Sequence, residues 1–508
     1  MHLHRVIADL ARTQPDKIAL HFEGQDVSYA SLATQIARSS EGLVRELQVQ
    51  RGDRVAYLGC NRPQMLILLF ALARVGAVLL PLNFRLAPAE HRAILEHAQA
   101  SALVADSDFA QAAAALGADM PALRVVGIGT HNAGWIGWDA IAQCRPAIAE
   151  RHDSDDDPVL LVYTSGTTGQ PRGAVHTQAG LHWNALSATR CFDLTRDDHV
   201  LTVLPMFHVG GLSIQTLPAL LAGATVTLHR RFDAGRWLAD VAARKPTLSL
   251  LVPATIQAVL DHPDWSGTDL SSLRAVYTGS QIVPESLFAA FHARGIPLGQ
   301  VYGATETGPV SICTGIADAM AHAGSAGKAA LHCEVRLEAS DGRDAAPGEV
   351  GEILLRAPNL ARGYWRDADN PAFRDGWFRT GDLARQDAQG FYWVVGRSKD
   401  MIISGGENIH PAEIENVLLA CPDILEAAVF GAPDARWGEV AIAAVVKRPG
   451  SALDEAAVLQ LLEGRLARLK QPRRVIFTDS LPRTALGKIR KELLRQSVRG
   501  SQTQRGAS

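Results

Sequence analysis

The segment Val159-Leu-Leu-Val-Tyr163 runs directly into Thr164-Ser165-Gly166-Thr167-Thr168-Gly169-Gln170-Pro171-Arg172-Gly173. An apolar strand thus feeds a loop that combines hydroxyls, glycines and one cation. Glycines let backbone N–H groups approach an anion, hydroxyls donate further hydrogen bonds, and Arg172 supplies charge. The chemistry this suits is phosphate binding. It is not a Walker A loop, because no Gly-Lys-Ser/Thr follows. A generic flexible turn is the simpler alternative, and the length and regularity of the run weigh against it.

The elements that must carry this loop alternate along the first half of the chain. Arg54–Leu58 reads as a strand, Pro63 to Val75 as a helix and Ala77–Leu80 as a strand again. The rhythm recurs at Ser101–Val104, Val159–Tyr163, Thr225–Leu228 and Leu248–Val252. Strands alternating with helices predict α/β layers with largely parallel sheets. From about Gly348, short strands at Glu352–Leu355 and Phe391–Val395 lie between Gly- and Asp-containing turns and suggest a small β-rich unit. Helix signals return at His410-Pro411-Ala-Glu413 and from Asp454 to Leu469. The expected architecture is α/β: a large N-terminal domain (1–396) of layered α/β subdomains plus a β-rich subdomain, a hinge at 397–399 and a small mobile α+β C-terminal domain (400–495). The polar tail 496–508 is expected to be disordered.

Bulk properties narrow the function classes. The chain has 508 residues, too many for one ordinary core, and its 47% apolar content with net charge −3 is that of a soluble globular protein. No basic excess is available to displace counterions, so a nucleic-acid partner is not expected. The cysteines at 60, 144, 191, 313, 333 and 421 include no C-x-x-C pair, which argues against a zinc site or disulfide framework and for a reducing, cytoplasmic setting. The apolar run Met65 to Leu82 is interrupted by Arg74, Gly76 and Pro81, so a buried helix feeding a buried strand is expected there and no membrane span. A monomer and a homodimer both stay open.

Five further motifs follow the loop. They are Pro205-Met-Phe-His208-Val209-Gly210-Gly211, Val301-Tyr302-Gly303-Ala304-Thr305-Glu306-Thr307-Gly308 and Gly376-Trp-Phe-Arg-Thr380-Gly381-Asp382, then Gly396-Arg397-Ser-Lys399-Asp400-Met-Ile-Ile-Ser-Gly405-Gly406-Glu-Asn408 and Leu481-Pro-Arg-Thr484-Ala-Leu-Gly487-Lys488-Ile489. Together and in this order they resemble the adenylate-forming superfamily, which comprises acyl- and aryl-CoA ligases, peptide-synthetase adenylation domains and luciferases. The resemblance implies activation of a carboxylate with ATP and Mg²⁺. The loop Thr164–Thr168, with Gly169 and Arg172, would hold the β- and γ-phosphates, Thr305 the α-phosphate and Glu306 the metal. Tyr302 would stack on adenine, Asp382 would accept the ribose hydroxyls, and Arg397 would also reach the ribose. Gly279, Ser280, Gln281, Gly303 and Ala304 would border the nucleotide. Lys488 would bridge carboxylate and α-phosphate, holding together two anions that otherwise repel; a solvated basic stretch is the alternative for the run Lys488-Ile-Arg490-Lys491. Lys399 stands where the family has its hinge residue.

For the second half-reaction CoA is the expected acceptor. The resemblance places Gly405 and Gly406 at the pantetheine channel, with Trp437, Lys470 and Arg473 near the CoA nucleotide. Gln471 stands where some aryl-CoA ligases carry a cation, and Arg172 replaces the commoner lysine. The acyl pocket is expected to draw on His208, Val209, Gly210, Gly211, Gly279, Gly303, Gly308 and Val310, with His208 as gate or pocket wall. No acid follows Phe207 to pair a substrate amine, and no Lys or Arg is present to pair a second carboxylate, whose unpaired burial is costly. An apolar monocarboxylate is therefore expected, aromatic and hydroxycinnamate-like acids ahead of medium- or long-chain fatty acids. Transfer to a carrier protein and a non-catalytic ATP-binding regulator are the alternatives.

Overall fold

A computed structural model describes residues 2–146, 154–165, 171–281, 283–404, 407–434, 436–484 and 489–505. Gly166–Gln170 and Gly405, Gly406 and Lys488 thus lie outside the described residues, and with them Thr167, Thr168 and Gly169.

Two large sheets form the N-terminal part. One has seven strands in the spatial order Ile136–Gly137, Arg124–Ile128, Ala100–Asp106, Arg54–Leu58, Val78–Leu82, Pro158–Ser165 and Pro171–Thr177. All neighbours are parallel except the last pair, in which Thr164 faces Arg172 across an antiparallel hairpin. The other has nine strands, with a parallel centre made by Thr225–Leu228, His199–Thr202, Leu248–Leu250, Ala275–Gly279 and Leu298–Tyr302. A parallel sheet must be covered on both faces, which explains why strands such as Val78–Leu82 and Ala275–Gly279 are buried at every position.

The helix Pro63–Val75 shows how such a cover is encoded. Pro63 occupies its first turn, Gly76 ends it in the left-handed conformation (φ +79°), and every residue from Met65 to Ala73 is buried. Each large side chain among them contributes roughly 1.5–3 kcal/mol of burial. The run Met65–Leu82 is therefore a buried helix and strand, and no helix among the described residues is long and apolar enough to cross a membrane.

A five-stranded antiparallel sheet follows, built on Glu334–Glu338, Gly351–Arg356, Trp377–Gln386 and Tyr392–Arg397. The last strand ends at Arg397, where a single 3-10 turn, Ser398–Asp400, leads into a smaller unit. That unit packs Pro411–Leu419 and Glu455–Gln460 on a sheet containing Ile424–Asp434 and Gly438–Lys447, around its own core of Ile409, Ile414, Leu418, Val429, Ala443 and Val458. The overall class is thus mixed α/β, with a large N-terminal and a small C-terminal domain.

One expectation needs correction. The helix expected over Asp454 to Leu469 is confined to Glu455–Gln460, because Gly464 turns at φ +71° and the chain resumes only as a 3-10 turn at Arg468–Lys470. The helix Lys491–Arg505 runs past 496. Its anchor is Val498, 3% exposed, which packs with Leu494 and Leu481 onto Phe430.

Candidate active site

The parallel strands Ala275–Gly279 and Leu298–Tyr302 deliver their C-terminal ends into one cleft, the usual place for a site in an α/β sheet. This cleft, of about 2270 Å³, is lined by both domains. Of the residues singled out by sequence, Thr164, Arg172, His208, Val209, Gly210, Gly279, Ser280, Gln281, Tyr302, Gly303, Ala304, Thr305, Glu306, Asp382, Arg397 and Lys399 line it. They come from segments more than 200 residues apart, so the fold and not the local chain assembles them.

At one end, Asp382 is the centre of a polar group. Its Oδ2 accepts from the Tyr302 hydroxyl at 2.8 Å and its Oδ1 from Arg397 Nε at 2.6 Å. The Thr380 hydroxyl accepts from Asp382 N at 3.0 Å and donates to Ile353 O, which fixes the turn. Burial, then the Asp382 charge, pushes the Tyr302 phenol well above its ordinary range, so it stays a donor. For Arg397, burial opposes the charge, but Asp382 more than offsets it and raises the pKa.

Glu306 sits nearby on the short turn Thr305–Thr307, buried, with its Oε1 accepting from Tyr364 at 2.7 Å and its backbone O from Ala361 N at 2.8 Å. Thr305 is likewise buried. A carboxylate has about four lone-pair sites. The bond from Tyr364 uses one, so the acid keeps oxygen donors of the kind Mg²⁺ takes. Arg172 stands over the Tyr364 ring, 5.5 Å from its centroid. Burial, then the Glu306 charge, raises the Tyr364 pKa. Tyr364 belongs to none of the motifs singled out by sequence. The signal that could have found it is weak, an aromatic in Arg362-Gly-Tyr364-Trp just after the Glu306 segment in space but 58 residues on in sequence.

The other end carries no cation. Among the described lining residues from 207 to 287, Phe207, Val209, Ile214, Pro253, Ala254, Leu260, Val283 and Leu287 supply apolar surface, His208, Gln257, Ser280, Gln281 and Ser286 the polar atoms, and the exposed Glu285 one acid. His208 caps the helix Val209–Ser213, its Nδ1 accepting from Gly210 N at 3.0 Å, which puts the proton of a neutral ring on Nε2. Gly303 is required by close approach, since a Cβ there would lie 1.8 Å from Pro309 O. Gly211, Gly308 and Val310, expected in the pocket, do not line the cleft. They stand behind it: Gly211 is packed on Pro205 O, while Asn184 accepts from Val310 N and Asn359 donates to Thr307 O.

The small domain contributes Arg483, Thr484, Ile489 and Lys491 to the lining, with Arg483 paired to Glu426 at 2.8 Å and Lys491 to Glu415 at 2.6 Å. Lys399 lies in the 3-10 turn at the domain junction, beside Asp400, which meets Arg495 at 3.4 Å. Trp437 and Arg473 come together outside the cleft, the guanidinium 5.9 Å from the indole ring. Lys470 pairs with Glu413 at 2.5 Å.

Known proteins resemble this chain over nearly its whole length. The model of the AMP-binding enzyme family matches residues 7–365 and that of the AMP-binding enzyme C-terminal domain residues 413–488. An indoleacetate–CoA ligase of Aromatoleum aromaticum (strain DSM 19018 / LMG 30748 / EbN1) is 48% identical, covering 98% of both chains. A feruloyl-CoA synthase of an Amycolatopsis species is 43% identical over 96% of this chain and 97% of its own. A solved anthranilate CoA ligase in complex with anthranoyl-AMP superposes with a TM-score of 0.91 at 26% identity, covering 98% of this chain and 97% of its own.

The chain belongs to the AMP-binding enzyme family, in its acid–CoA ligase branch. It is an AMP-forming acid–thiol ligase that uses ATP with Mg²⁺ and CoA, and neither a carrier-protein acceptor nor a non-catalytic regulator is favoured.

Proposed function

We propose that this ligase activates an apolar aromatic monocarboxylate, of the arylacetate or hydroxycinnamate kind, and that the two ends of its cleft divide the work. The observation that carries the proposal is the largely apolar, cation-free wall from Phe207 to Leu287 opening beside the Tyr302–Asp382–Arg397 group. A second carboxylate would find no cation on that wall, whereas an aromatic ring would be covered on Ile214, Pro253 and Val283. The names of the relatives, indoleacetate and ferulate ligases, point the same way.

A free carboxylate is a poor electrophile because oxide is a poor leaving group. The substrate carboxylate oxygen therefore attacks the α-phosphorus of ATP, and pyrophosphate leaves. CoA sulfur then attacks the acyl carbon and AMP leaves. Protein work in the first step is positioning and charge stabilisation. Asp382 and Arg397 hold the ribose, Tyr302 covers adenine, and Gly279–Gln281 with Gly303 and Ala304 border the base. Thr164–Thr168, Gly169 and Arg172 hold the outer phosphates, and Thr305 the α-phosphate. Mg²⁺ at Glu306 supplies neutralisation of phosphate charge. Lys488 keeps the two anions together. His208 walls the passage between acid and nucleotide; thiolysis has a good nucleophile and a good leaving group, so no base is assigned to it. Rotation about Lys399 then withdraws the lysine segment and brings Gly405 and Gly406 to the thiol, with Trp437 and Arg473 toward the CoA nucleotide and Lys470 staying with Glu413.

Product analysis across a panel of acids tests this. Arylacetates and hydroxycinnamates should give AMP and the acyl-CoA with higher kcat/KM than dicarboxylates or amino acids. A preference for a dicarboxylate or an amino acid would overturn the substrate assignment.

A further inference from the structure

Tyr364 touches two residues of the site at once, although it lies in none of the motifs by which the site was read. The backbone around it is zipped onto the strand Pro171–Thr177. Arg362 N donates to Val175 O at 2.9 Å, Val175 N to Gly363 O at 3.0 Å, and Trp365 N to Gly173 O at 2.7 Å. This holds the side chain against the strand that carries Arg172, and Phe373 packs on its outer edge with ring centroids 5.5 Å apart at 80°. In that setting the hydroxyl donates to Glu306 Oε1 at 2.7 Å, and the ring face lies under the Arg172 guanidinium. One residue therefore sets where an acid and a cation stand relative to each other.

We infer that Tyr364 is a positioning residue: its hydroxyl orients the Glu306 carboxylate for Mg²⁺, and its ring seats Arg172 for the phosphates. The hydroxyl meets Glu306 and also lies within reach of Arg172, while the ring face carries Arg172, so removing the hydroxyl and removing the ring test the two functions to different degrees. A carboxylate that meets a metal depends on its outer hydrogen bond for orientation, and losing such a partner typically costs affinity for the ion. A guanidinium stacked on an aromatic face keeps its edge donors for phosphate oxygens. The inference rests on the reading of Glu306 as the acid that meets the metal, so the test carries a control for that reading.

ATP binding to the full-length protein is measured by calorimetry at a series of Mg²⁺ concentrations, alongside direct Mn²⁺ binding by electron paramagnetic resonance in the presence of ATP. Tyr364→Phe keeps the ring and loses the hydroxyl. It should need about tenfold or more Mg²⁺ for half-maximal ATP binding, and weaken Mn²⁺ by the same factor. ATP affinity at saturating metal should fall by less than in Tyr364→Leu, because the ring still carries Arg172. Tyr364→Leu should lower that affinity further, because Arg172 loses its seat. Glu306→Gln should shift the metal dependence at least as far as Tyr364→Phe. If Glu306→Gln shifts it and Tyr364→Phe does not, the inference is overturned and the reading of Glu306 stands. If neither shifts it, Glu306 does not meet the metal and both readings fall. Should Tyr364→Leu not fold, the Tyr364→Phe and Glu306→Gln pair still decides.

Discussion

The two ends of the cleft are held in place by different forces. At the nucleotide end, charges are set by other charges and donors: Asp382 by Tyr302 and Arg397, Glu306 by Tyr364, Arg172 by the Tyr364 ring. At the proposed acyl end, the wall is set by packed apolar side chains such as Ile214, Pro253 and Val283, with close backbone contact behind them, as at Gly211 against Pro205 O. Polar pairing in a partly buried cleft fixes positions to fractions of an ångström for a ligand that never changes. A packed wall changes shape whenever one apolar side chain changes, without disturbing the charges next to it. An enzyme that keeps ATP and varies its acid needs both kinds of construction side by side.

This contrast can be broken or sharpened by substitution. The largest effect is expected for Lys488→Ala, which should lower adenylation by about 10²–10³-fold with every acid while largely sparing thiolysis of a supplied acyl-AMP. Half-reactions measured separately check this; equal loss in both would contradict movement of the small domain. Next comes Asp382→Ala, which leaves the Arg397 and Tyr302 donors without their acceptor. It should cost about 10²-fold in kcat/KM for ATP, by the same factor whichever acid is present. An acid-dependent factor would show that the two ends are not separate.

Ile214→Ala probes the other side. Ile214 is 6% exposed and lines the cation-free wall. Its loss should change the ratio of kcat/KM between a bulky and a small acid by roughly 10-fold, leaving the KM for ATP as it was. A changed KM for ATP with an unchanged acid ratio would reverse the assignment.

The smallest effect concerns stability beneath the nucleotide end. His176, buried on the strand Pro171–Thr177 near the Thr305 backbone, is driven by burial from 6.5 to about 4. Its folded pKa lies below its unfolded one, so between the two values the unfolded chain binds more protons. Stability should therefore be fully present above pH 6.5 and fall as pH drops through about 4. The slope contributed is at most about 1.4 kcal/mol per pH unit. Denaturant melts from pH 7 to 4.5 should show a shallower slope for His176→Gln; an unchanged slope would place the titration elsewhere, for example at His199, which burial also lowers to about 4.

Legibility from sequence followed the range of the interaction. The strand Arg54–Leu58 and helix Pro63–Val75 were readable to the residue, because periodicity, Pro63 and Gly76 are local signals. The helix sought over Asp454 to Leu469 was overextended because Gly464, with φ +71°, was given no weight as a breaker. Val498 is one apolar residue in a polar tail, and only its seat on Phe430 makes it informative. In the site, Asp382 and Arg397 were legible as motif members, while Tyr364 was not, since its meaning lies in a partner 58 residues away. Gly308 and Val310 were placed one layer too far forward: spacing along a loop does not tell which residue faces a cleft and which is held behind it by Asn359 and Asn184.

The central claim is that the acid's own oxygen attacks the α-phosphorus of ATP. A single turnover with an aromatic acid labelled with oxygen-18 in its carboxylate, followed by mass spectrometry of the products, addresses it directly. One labelled oxygen is expected in AMP, with unlabelled pyrophosphate and, with CoA present, an acyl-CoA retaining the other label. Label in inorganic phosphate, with ADP as the nucleotide product, would contradict it.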